Sequence, residues 1–246
     1  MLYQEIMKNI PQMGDTILLV TTGSSAYGVA TEESDLDIRG IYVPSKKVLF
    51  GFTQGNGVTT GYQQGRFDFY LHDIRKYMKL AAEGSHNMIE YLWVPEEMIE
   101  HASNMGNYLI GQRDIFNSKA LANSIVRHAK SCLYQITKYP SLTDVAGGSV
   151  FAKEGMHAMR LIQMASEFLT YRRLVVRRPN ADKLMYLRTH GFVVKNLVNE
   201  FNEAKEYIDS VLPTSALPDI ADVGAILTMC QDVIADHYGF DIYATE

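Results

Sequence analysis

The sequence has few features of secreted or membrane-embedded proteins. It contains only two cysteines among 246 residues, and Cys132 and Cys230 lack the close spacing of metal ligands. We therefore expect two reduced thiols in the core of the protein rather than a disulfide framework. No apolar run approaches the ~18 residues that a membrane helix needs, and no secretory signal is recognisable. A cytoplasmic protein without a membrane segment is expected.

The sequence also lacks a strong net charge, repeats and low-complexity segments. Its formal net charge is −5, so it has no global basic field for nucleic acid, although a local basic patch is compatible with this charge. Apolar residues make up 47% and charged residues 21%, which is ordinary for a globular protein. A chain of this length can bury the core of one domain or of two small ones.

Residues 17–43 predict a buried strand, a Gly-Ser turn that opens a short helix, and a second strand with two aspartates. Alternation along the second strand places Asp35 and Asp37 side by side on one face, with Leu36 and Ile38 directed into the core. Two neighbouring carboxylates in a buried sheet repel each other and are costly to desolvate. A divalent cation removes that cost, and oxygen-only ligands favour Mg²⁺ or Mn²⁺ over Zn²⁺.

The turn at Gly23, Ser24 and Ser25 supplies features that suit a phosphate. Gly23 allows a backbone to approach closely, Ser24 offers a hydroxyl, and the first N–H groups of the following helix are free to bind an anion. A phosphate cradle combined with metal-binding carboxylates predicts a nucleoside triphosphate site. The alternative is a simple turn followed by an aspartate-rich surface strand.

These residues also resemble a known family. Gly23-Ser24 followed by Asp35-Leu36-Asp37-Ile38 resembles the nucleotidyltransferase signature of the DNA polymerase β superfamily. The longer stretch 23–44 is similar to predicted nucleotidyltransferases of bacteria and phages, some of which are associated with RNA ligases. Thr22 departs from the superfamily, which usually has an apolar residue before the glycine. The resemblance implies an NTP donor and two Mg²⁺ or Mn²⁺ ions.

The resemblance further implies a third carboxylate on a neighbouring strand, which completes the metal pair and activates the attacking hydroxyl. Residues 67–71 predict a third strand, and Asp68 is the acidic residue in it. Asp73 is the alternative, but its position suits the N-terminal end of a helix. We therefore expect Asp35, Asp37 and Asp68 to form the catalytic metal set.

The pattern predicts an α+β protein with two domains. Residues 1–116 are expected to form a small mixed-sheet, polymerase-β-like nucleotidyltransferase domain, with a turn-rich loop or hairpin connection at 44–66 and helix at 96–116. Residues 117–246 are expected to form an all-helical domain, because strand signals nearly vanish there. Its predicted helices span 118–138, 151–174, 180–188, 192–210 and 219–237.

The second of these helices carries a basic stripe. Lys153, His157 and Arg160 follow at positions i, i+4 and i+7, so they share one helix face. Such a stripe beside a phosphate site suggests contacts with a triphosphate or a substrate backbone, and the same spacing occurs in the family that the sequence resembles. A solvated basic face is the alternative. We count all three as candidate nucleotide-binding residues, in a cleft expected between the two domains.

A second basic cluster spans residues 171–178 and contains four arginines and a tyrosine. Such a cluster, which Lys183 and Arg188 could extend, can hold a nucleic-acid backbone. It is equally typical of a solvated helix end, where cations are favourable. The sequence leaves these alternatives open.

The sequence therefore predicts an enzyme that transfers a nucleoside monophosphate from an NTP to an acceptor hydroxyl. The resemblance to RNA-ligase-associated transferases favours an RNA 3′ end as the acceptor. Transfer to a small molecule or to a protein hydroxyl is the second enzymatic alternative. A non-catalytic nucleotide-binding module is the third, although it has no physical need for clustered carboxylates. The sequence does not indicate an oligomeric state.

Overall fold

The structure, a computed structural model, describes residues 14–51, 58–63 and 67–240. These residues divide into two compact units: 14–26, 30–116 and 221–240 belong to the first, and 27–29 and 117–220 to the second. The sequence predicts a single division after residue 116. The structure differs from this prediction because the C-terminal helix belongs to the first unit and Tyr27–Val29 to the second. An amphipathic pattern shows which helix face is buried but not which partner covers it.

The first unit contains a five-stranded mixed sheet with the order β3-β4-β2-β1-β5. The strands are β1 (Gly14–Thr21), β2 (Leu36–Pro44), β3 (Val58–Gln63), β4 (Phe67–Asp73) and β5 (Ile99–Ala102). Strands β2 and β4 run parallel, and the other neighbouring pairs run antiparallel. The expected α+β class with a mixed sheet is confirmed.

One face of this sheet forms a hydrophobic core. It comprises the buried side chains of Leu19, Ile38, Tyr42, Phe67, Phe69 and Leu71. Within β2 and β4 these residues follow the two-residue alternation of a strand, so the intervening side chains point to the opposite face. Each fully buried side chain of this size contributes roughly 1.5–3 kcal/mol, which fixes the register of the two strands.

Helices make up most of the remaining structure. They are α1 (Gly23–Tyr27), α2 (Lys46–Phe50), α3 (Ile74–Ala82), α4 (His86–Ile89), α5 (Asn104–Gly111), α6 (Lys119–Thr137), α7 (Val150–Tyr171), α8 (Ala181–His190), α9 (Val194–Val211) and α10 (Val223–Tyr238). Short 3₁₀ turns lie at 90–92, 96–98, 113–116 and 212–214. No helix in the described part of the chain is both long and apolar enough to cross a membrane.

Five of these helices begin at a side chain that accepts a hydrogen bond from a backbone N–H group of the first turn. The capping residues are Asp73, Ser103, Ser118, Ser149 and Asp222. A cap of this kind typically contributes about 1 kcal/mol. The starts of these helices can therefore be recognised from the residues at their N-terminal ends.

Several short elements depart from the sequence prediction. The expected loop at 44–66 contains α2 and β3, and β3 forms a hairpin with β4. The expected helix at 96–116 contains the edge strand β5. In the second unit, β6 (Asp144–Ala146) pairs with β7 (Gly191–Val193), so this part of the chain is not all helical. Strands of three or four residues show no clear alternation, and they form because a partner strand is available.

Candidate active site

Asp37 and Asp68 lie directly opposite each other on adjacent parallel strands. The register of β2 and β4 pairs Asp37 with Asp68, next to the pairs of Leu36 with Phe67 and Ile38 with Phe69. Both aspartates are half-buried and point away from the core face. The structure therefore brings together two of the three predicted metal ligands.

The guanidinium group of Arg39 bridges these two carboxylates. Its Nη2 atom donates to Asp37 Oδ1 at 2.9 Å, and Nη1 donates to Asp68 Oδ1 at 3.0 Å. Nη1 also donates to the carbonyl oxygen of Ile38 at 2.9 Å, and the guanidinium carbon lies 4.5 Å from the centre of the Tyr70 ring. Only 19% of the Arg39 side chain is exposed, so these charge-assisted bonds are partly shielded from water.

Gly23 lies against the Asp37 side chain. Its φ of +64° is in the left-handed region, and a Cβ atom on Gly23 would collide with Asp37 Oδ2. The turn is tied to the same residue through its backbone, because the N–H of Thr22 donates to the carbonyl oxygen of Asp37 at 2.8 Å. Glycine is thus required here for two reasons, its backbone conformation and the close approach of a carboxylate. Ser24 and Ser25 follow in α1 and are half-buried.

Asp35 and Asp73 occupy different environments from this pair. Strand β2 begins at Leu36, so Asp35 precedes it, and its side chain is exposed. Asp73 is buried and accepts from the backbone N–H of Arg75 at 2.8 Å, which makes it the cap of α3. Within residues 14–51, 58–63 and 67–240, no three His, Cys, Asp or Glu side chains form a group that could hold a metal ion.

The surroundings of Asp37 raise the pKa of its carboxyl group. Burial is the largest cause, because the charged form loses hydration, and the hydrogen bond and charge of Asp68 act in the same direction. The Arg39 guanidinium opposes this shift. Further along the same face of β4, burial lowers the pKa of His72 to about 4, with Lys76 and Arg39 acting in the same direction. The imidazole of His72 is therefore neutral at physiological pH.

The predicted basic stripe lies on α7 in the second unit, where its three members differ in exposure. Lys153 is exposed, His157 is half-buried and Arg160 is buried. The guanidinium carbon of Arg160 lies 3.6 Å from the centre of the Tyr27 ring, which is a close cation–π contact. Arg160 therefore binds the residue that ends α1, the helix opened by the Gly-Ser turn.

His157 lies among several cationic groups. Burial lowers its pKa to about 3, and Arg160, Lys153, His128 and Arg188 all act in the same direction. The ring is therefore neutral at working pH, and it can offer a hydrogen bond but no charge. His128 and Arg188 extend the basic stripe beyond the three residues that the helical spacing predicts.

Further basic residues of the second unit contact the backbone of Tyr27–Val29. The N–H of Arg178 donates to the carbonyl oxygen of Tyr27 at 3.1 Å, and Arg188 Nη1 donates to that of Val29 at 2.6 Å. Gly28 has a φ of +79°, and a Cβ atom there would come against the Arg177 side chain. Several arginines of this unit therefore serve to hold this short segment.

The arginine cluster at 171–178 is divided between structural and exposed residues. Helix α7 ends at Tyr171, and Arg172 follows with a left-handed φ of 55°. Arg178 is buried and forms two hydrogen bonds with the Glu167 carboxylate, at 2.6 and 2.7 Å. Arg173 is exposed. The cluster is thus not a continuous face of four available cations.

Arg39 is the residue of this site that the sequence prediction does not include. It follows Asp37 by two positions in a strand, so alternation alone places both side chains on one face. Its role as a bridge depends on Asp68, which is distant in sequence. The alternation indicates that Arg39 and Asp37 share a strand face, but only the pairing of β2 with β4 shows that Arg39 also reaches Asp68.

Comparison with known proteins shows the family of the chain. Residues 4–211, most of the chain, match the RNA repair pathway DNA polymerase beta family. The chain belongs to this family. Membership in the RNA repair pathway DNA polymerase beta family indicates nucleotidyltransferase chemistry, and the stretch 23–37, which resembles a nucleotidyltransferase signature, lies inside the matched region.

A phage protein is also similar to part of the chain. It is an uncharacterised 38.9 kDa protein from the nrdC–mobD intergenic region of Enterobacteria phage T4, and it is 29% identical over 91 residues. The match covers 34% of this chain and 27% of the phage protein. The chain thus matches about a quarter of that relative's length, and the relative adds no activity to the family assignment.

Polymerase-β-like nucleotidyltransferases generally use divalent metal ions, and the described carboxylates suit such an ion. Asp37 and Asp68 already converge on one positive group, the Arg39 guanidinium. Both offer hard oxygen atoms, which Mg²⁺ and Mn²⁺ prefer. The donor atoms and their convergence therefore fit a divalent cation.

Proposed function

We propose that this protein transfers a nucleoside monophosphate from an NTP to an acceptor hydroxyl, with two Mg²⁺ or Mn²⁺ ions as cofactors. The observation that carries the proposal is the pairing of Asp37 and Asp68 on adjacent parallel strands beside the Gly23 turn. Two neighbouring carboxylates repel each other, and Arg39 offsets only part of this repulsion, since one positive charge faces two carboxylates. The remaining negative charge is what divalent metal ions need.

The carboxylates have distinct roles in this proposal. Asp35 and Asp37 hold the metal ions, and Asp68 completes the set and accepts the proton of the attacking hydroxyl. Bound divalent ions lower the pKa of that hydroxyl and stabilise the pyrophosphate leaving group. Asp35 lies immediately before β2 and is exposed, so packing does not fix the direction of its carboxylate.

The NTP phosphates are proposed to lie on the Gly23 turn. The backbone at Gly23 and the hydroxyls of Ser24 and Ser25 offer donors to the β- and γ-phosphates. Lys153 and Arg160 are proposed to neutralise charge on the phosphates, and the neutral ring of His157 to donate a hydrogen bond. The support for this assignment is the shared face of the three residues on α7 and the same spacing in the family that the sequence resembles.

An RNA 3′ end is the proposed acceptor. The support is the family itself, which is described as a DNA polymerase beta family of the RNA repair pathway. The exposed residues Arg172 and Arg173 offer positive charge for an RNA backbone. A small molecule or a protein hydroxyl is the alternative acceptor, and the net charge of −5 suits it slightly better.

The test is a labelling experiment with the full chain. The protein is incubated with each α-³²P-labelled NTP, Mg²⁺ or Mn²⁺, and an RNA with a free 3′ hydroxyl, in parallel with the same RNA blocked by a 3′ phosphate. We expect label on the free 3′ end only. Asp37→Asn and Asp68→Asn should each reduce transfer by about 100-fold or more, since each removes a charge at the reacting centre.

Asp15→Asn is the matched control, because Asp15 is an exposed carboxylate of the same sheet. Its substitution should leave transfer unchanged. Label on the protein itself, or release of pyrophosphate without labelled RNA, would show the alternative acceptor. If Asp37→Asn and Asp68→Asn both kept wild-type activity, the assigned site would be wrong.

A further inference from the structure

Arg39 occupies the place where the two carboxylates need a cation. Its two Nη atoms bond Asp37 Oδ1 and Asp68 Oδ1 at 2.9 and 3.0 Å. A guanidinium with separate nitrogen atoms can bridge two carboxylates in this way, whereas a lysine would present a single point charge. The fold thus contains its own counter-ion for the pair.

A divalent ion and Arg39 compete for the same two carboxylates. Arg39 bonds the Oδ1 atom of each carboxylate, so an ion on the remaining oxygen atoms would lie close to the guanidinium, and the two cations would repel each other. An ion that binds both carboxylates therefore weakens the bonds of Arg39.

Tyr70 offers the guanidinium a second place. In the register of β2 and β4, Tyr70 lies directly opposite Arg39, and its ring centre is 4.5 Å from the guanidinium carbon. The ring is 41% exposed, so a guanidinium that leaves the carboxylates can stay over the ring and reach water. The cation–π contact lowers the cost of this movement.

We propose that Arg39 is a positioning residue that holds Asp37 and Asp68 together until a divalent ion binds, and then turns away from them along Tyr70. This inference rests on the proposed function, because it takes Asp37 and Asp68 as metal ligands. The bridge formed by Arg39 stabilises and orders the two carboxylates before an ion binds, and it weakens their affinity for the ion. The same exchange supplies a free guanidinium beside the site only when the ion is bound.

The test measures Mn²⁺ binding without nucleotide, by electron paramagnetic resonance of free Mn²⁺, and thermal unfolding with and without Mn²⁺. In Arg39→Met, the Kd for Mn²⁺ should fall by about 10- to 100-fold, since two charge-assisted bonds no longer have to be broken. The metal-free protein should unfold at a lower temperature than the wild type. The rise in unfolding temperature on adding Mn²⁺ should be larger than in the wild type.

Arg75→Met is the matched control. It removes another arginine–aspartate pair at the end of β4, between Arg75 and Asp73, without touching the bridged carboxylates. It should lower the unfolding temperature but leave the Kd for Mn²⁺ unchanged. A tighter Kd in Arg75→Met would show that loss of any nearby arginine has this effect, and the inference would be overturned.

A measurement on the wild-type protein does not depend on the folding of Arg39→Met. In protein labelled with ¹⁵N-arginine, the Nε–H signal of Arg39, assigned with Arg39→Lys, should move when Mg²⁺ saturates the site. A signal that stays in place at saturation would overturn the inference. Asp37→Asn and Asp68→Asn identify a separate failure: if they bind Mn²⁺ like the wild type, the proposed metal site itself is wrong.

Discussion

Replacement of Gly23 by alanine tests the geometry of the site most directly. The φ of +64° costs a residue with a Cβ atom about 1–2 kcal/mol. The new methyl group also meets Asp37 Oδ2, and overpacking of this kind typically costs about 1–3 kcal/mol. The free energy of unfolding should therefore fall by about 2–5 kcal/mol in Gly23→Ala.

The collision should affect activity as well as stability. Asp37 can relieve it only by moving its carboxylate away from Gly23, and misplacement of a reacting group by about 1 Å can cost about 100-fold in rate. We expect a loss of this size in the transfer of labelled nucleotide to RNA. Urea unfolding, measured on the same preparations, gives the change in stability.

Gly239→Ala is the matched control for backbone strain. Gly239 ends α10 with a φ of +65°, and a Cβ atom there has open space around it. Its replacement should lower the free energy of unfolding only through the strained backbone, by about 1–2 kcal/mol. Transfer should be unchanged. Suppose instead that Gly23→Ala were no less stable than Gly239→Ala and kept transfer within about threefold of the wild type. The close approach of Gly23 to Asp37 would then be irrelevant to catalysis.

Two further predictions concern the second unit. The pKa of His157, about 3, lies below its ordinary value of 6.5, so the unfolded chain takes up a proton first as the pH falls. Stability in urea should therefore drop below pH 6.5, and His157 should contribute about 1.4 kcal/mol of the loss at pH 5.5. His72, whose pKa is also lowered, should add a loss of its own. The contribution of His157 should disappear in His157→Gln and persist in His190→Gln, and an undiminished loss in His157→Gln would contradict the assignment. Glu167→Gln should lower stability by about 3 kcal/mol because it leaves Arg178 buried without its carboxylate, whereas Arg173→Gln, at an exposed arginine, should change stability little. Equal effects of these two substitutions in urea unfolding would show that the buried pair is unimportant.

The parts of the fold that the sequence predicts are those with a strong local pattern. The apolar run at 17–20 and the alternation at 67–71 predict strands, and both are confirmed. The sequence does not predict the strands at 58–63 and 99–102, because turn-rich or very short segments become strands only through their partners. The association of the helix at 223–238 with the first unit also depends on tertiary packing, which a helical pattern does not specify.

The sequence predicts the carboxylates of the site but not the contacts between them. Spacing and resemblance single out Asp37 and Asp68, and strand pairing places them opposite each other. The expectation that Asp35 shares a strand face with Asp37 was less successful, since the strand begins one residue later. Arg39 could not be recognised as a bridge from the sequence, because the bridge requires knowing that two distant segments are parallel neighbours. The assignment of these residues as metal ligands stays a prediction.

Asp37 is the residue on which the local architecture converges. Its backbone carbonyl binds the turn through Thr22, one carboxylate oxygen lies against Gly23, and the other accepts from Arg39. Its partner across the sheet is a second carboxylate, Asp68, and the single charge of Arg39 offsets only part of the repulsion between the two. A protein selected only for stability would keep an uncharged residue at such a position. The turn, the glycine and the arginine together hold a charge that the fold itself does not need, and this is the physical reason to place the chemistry at Asp37.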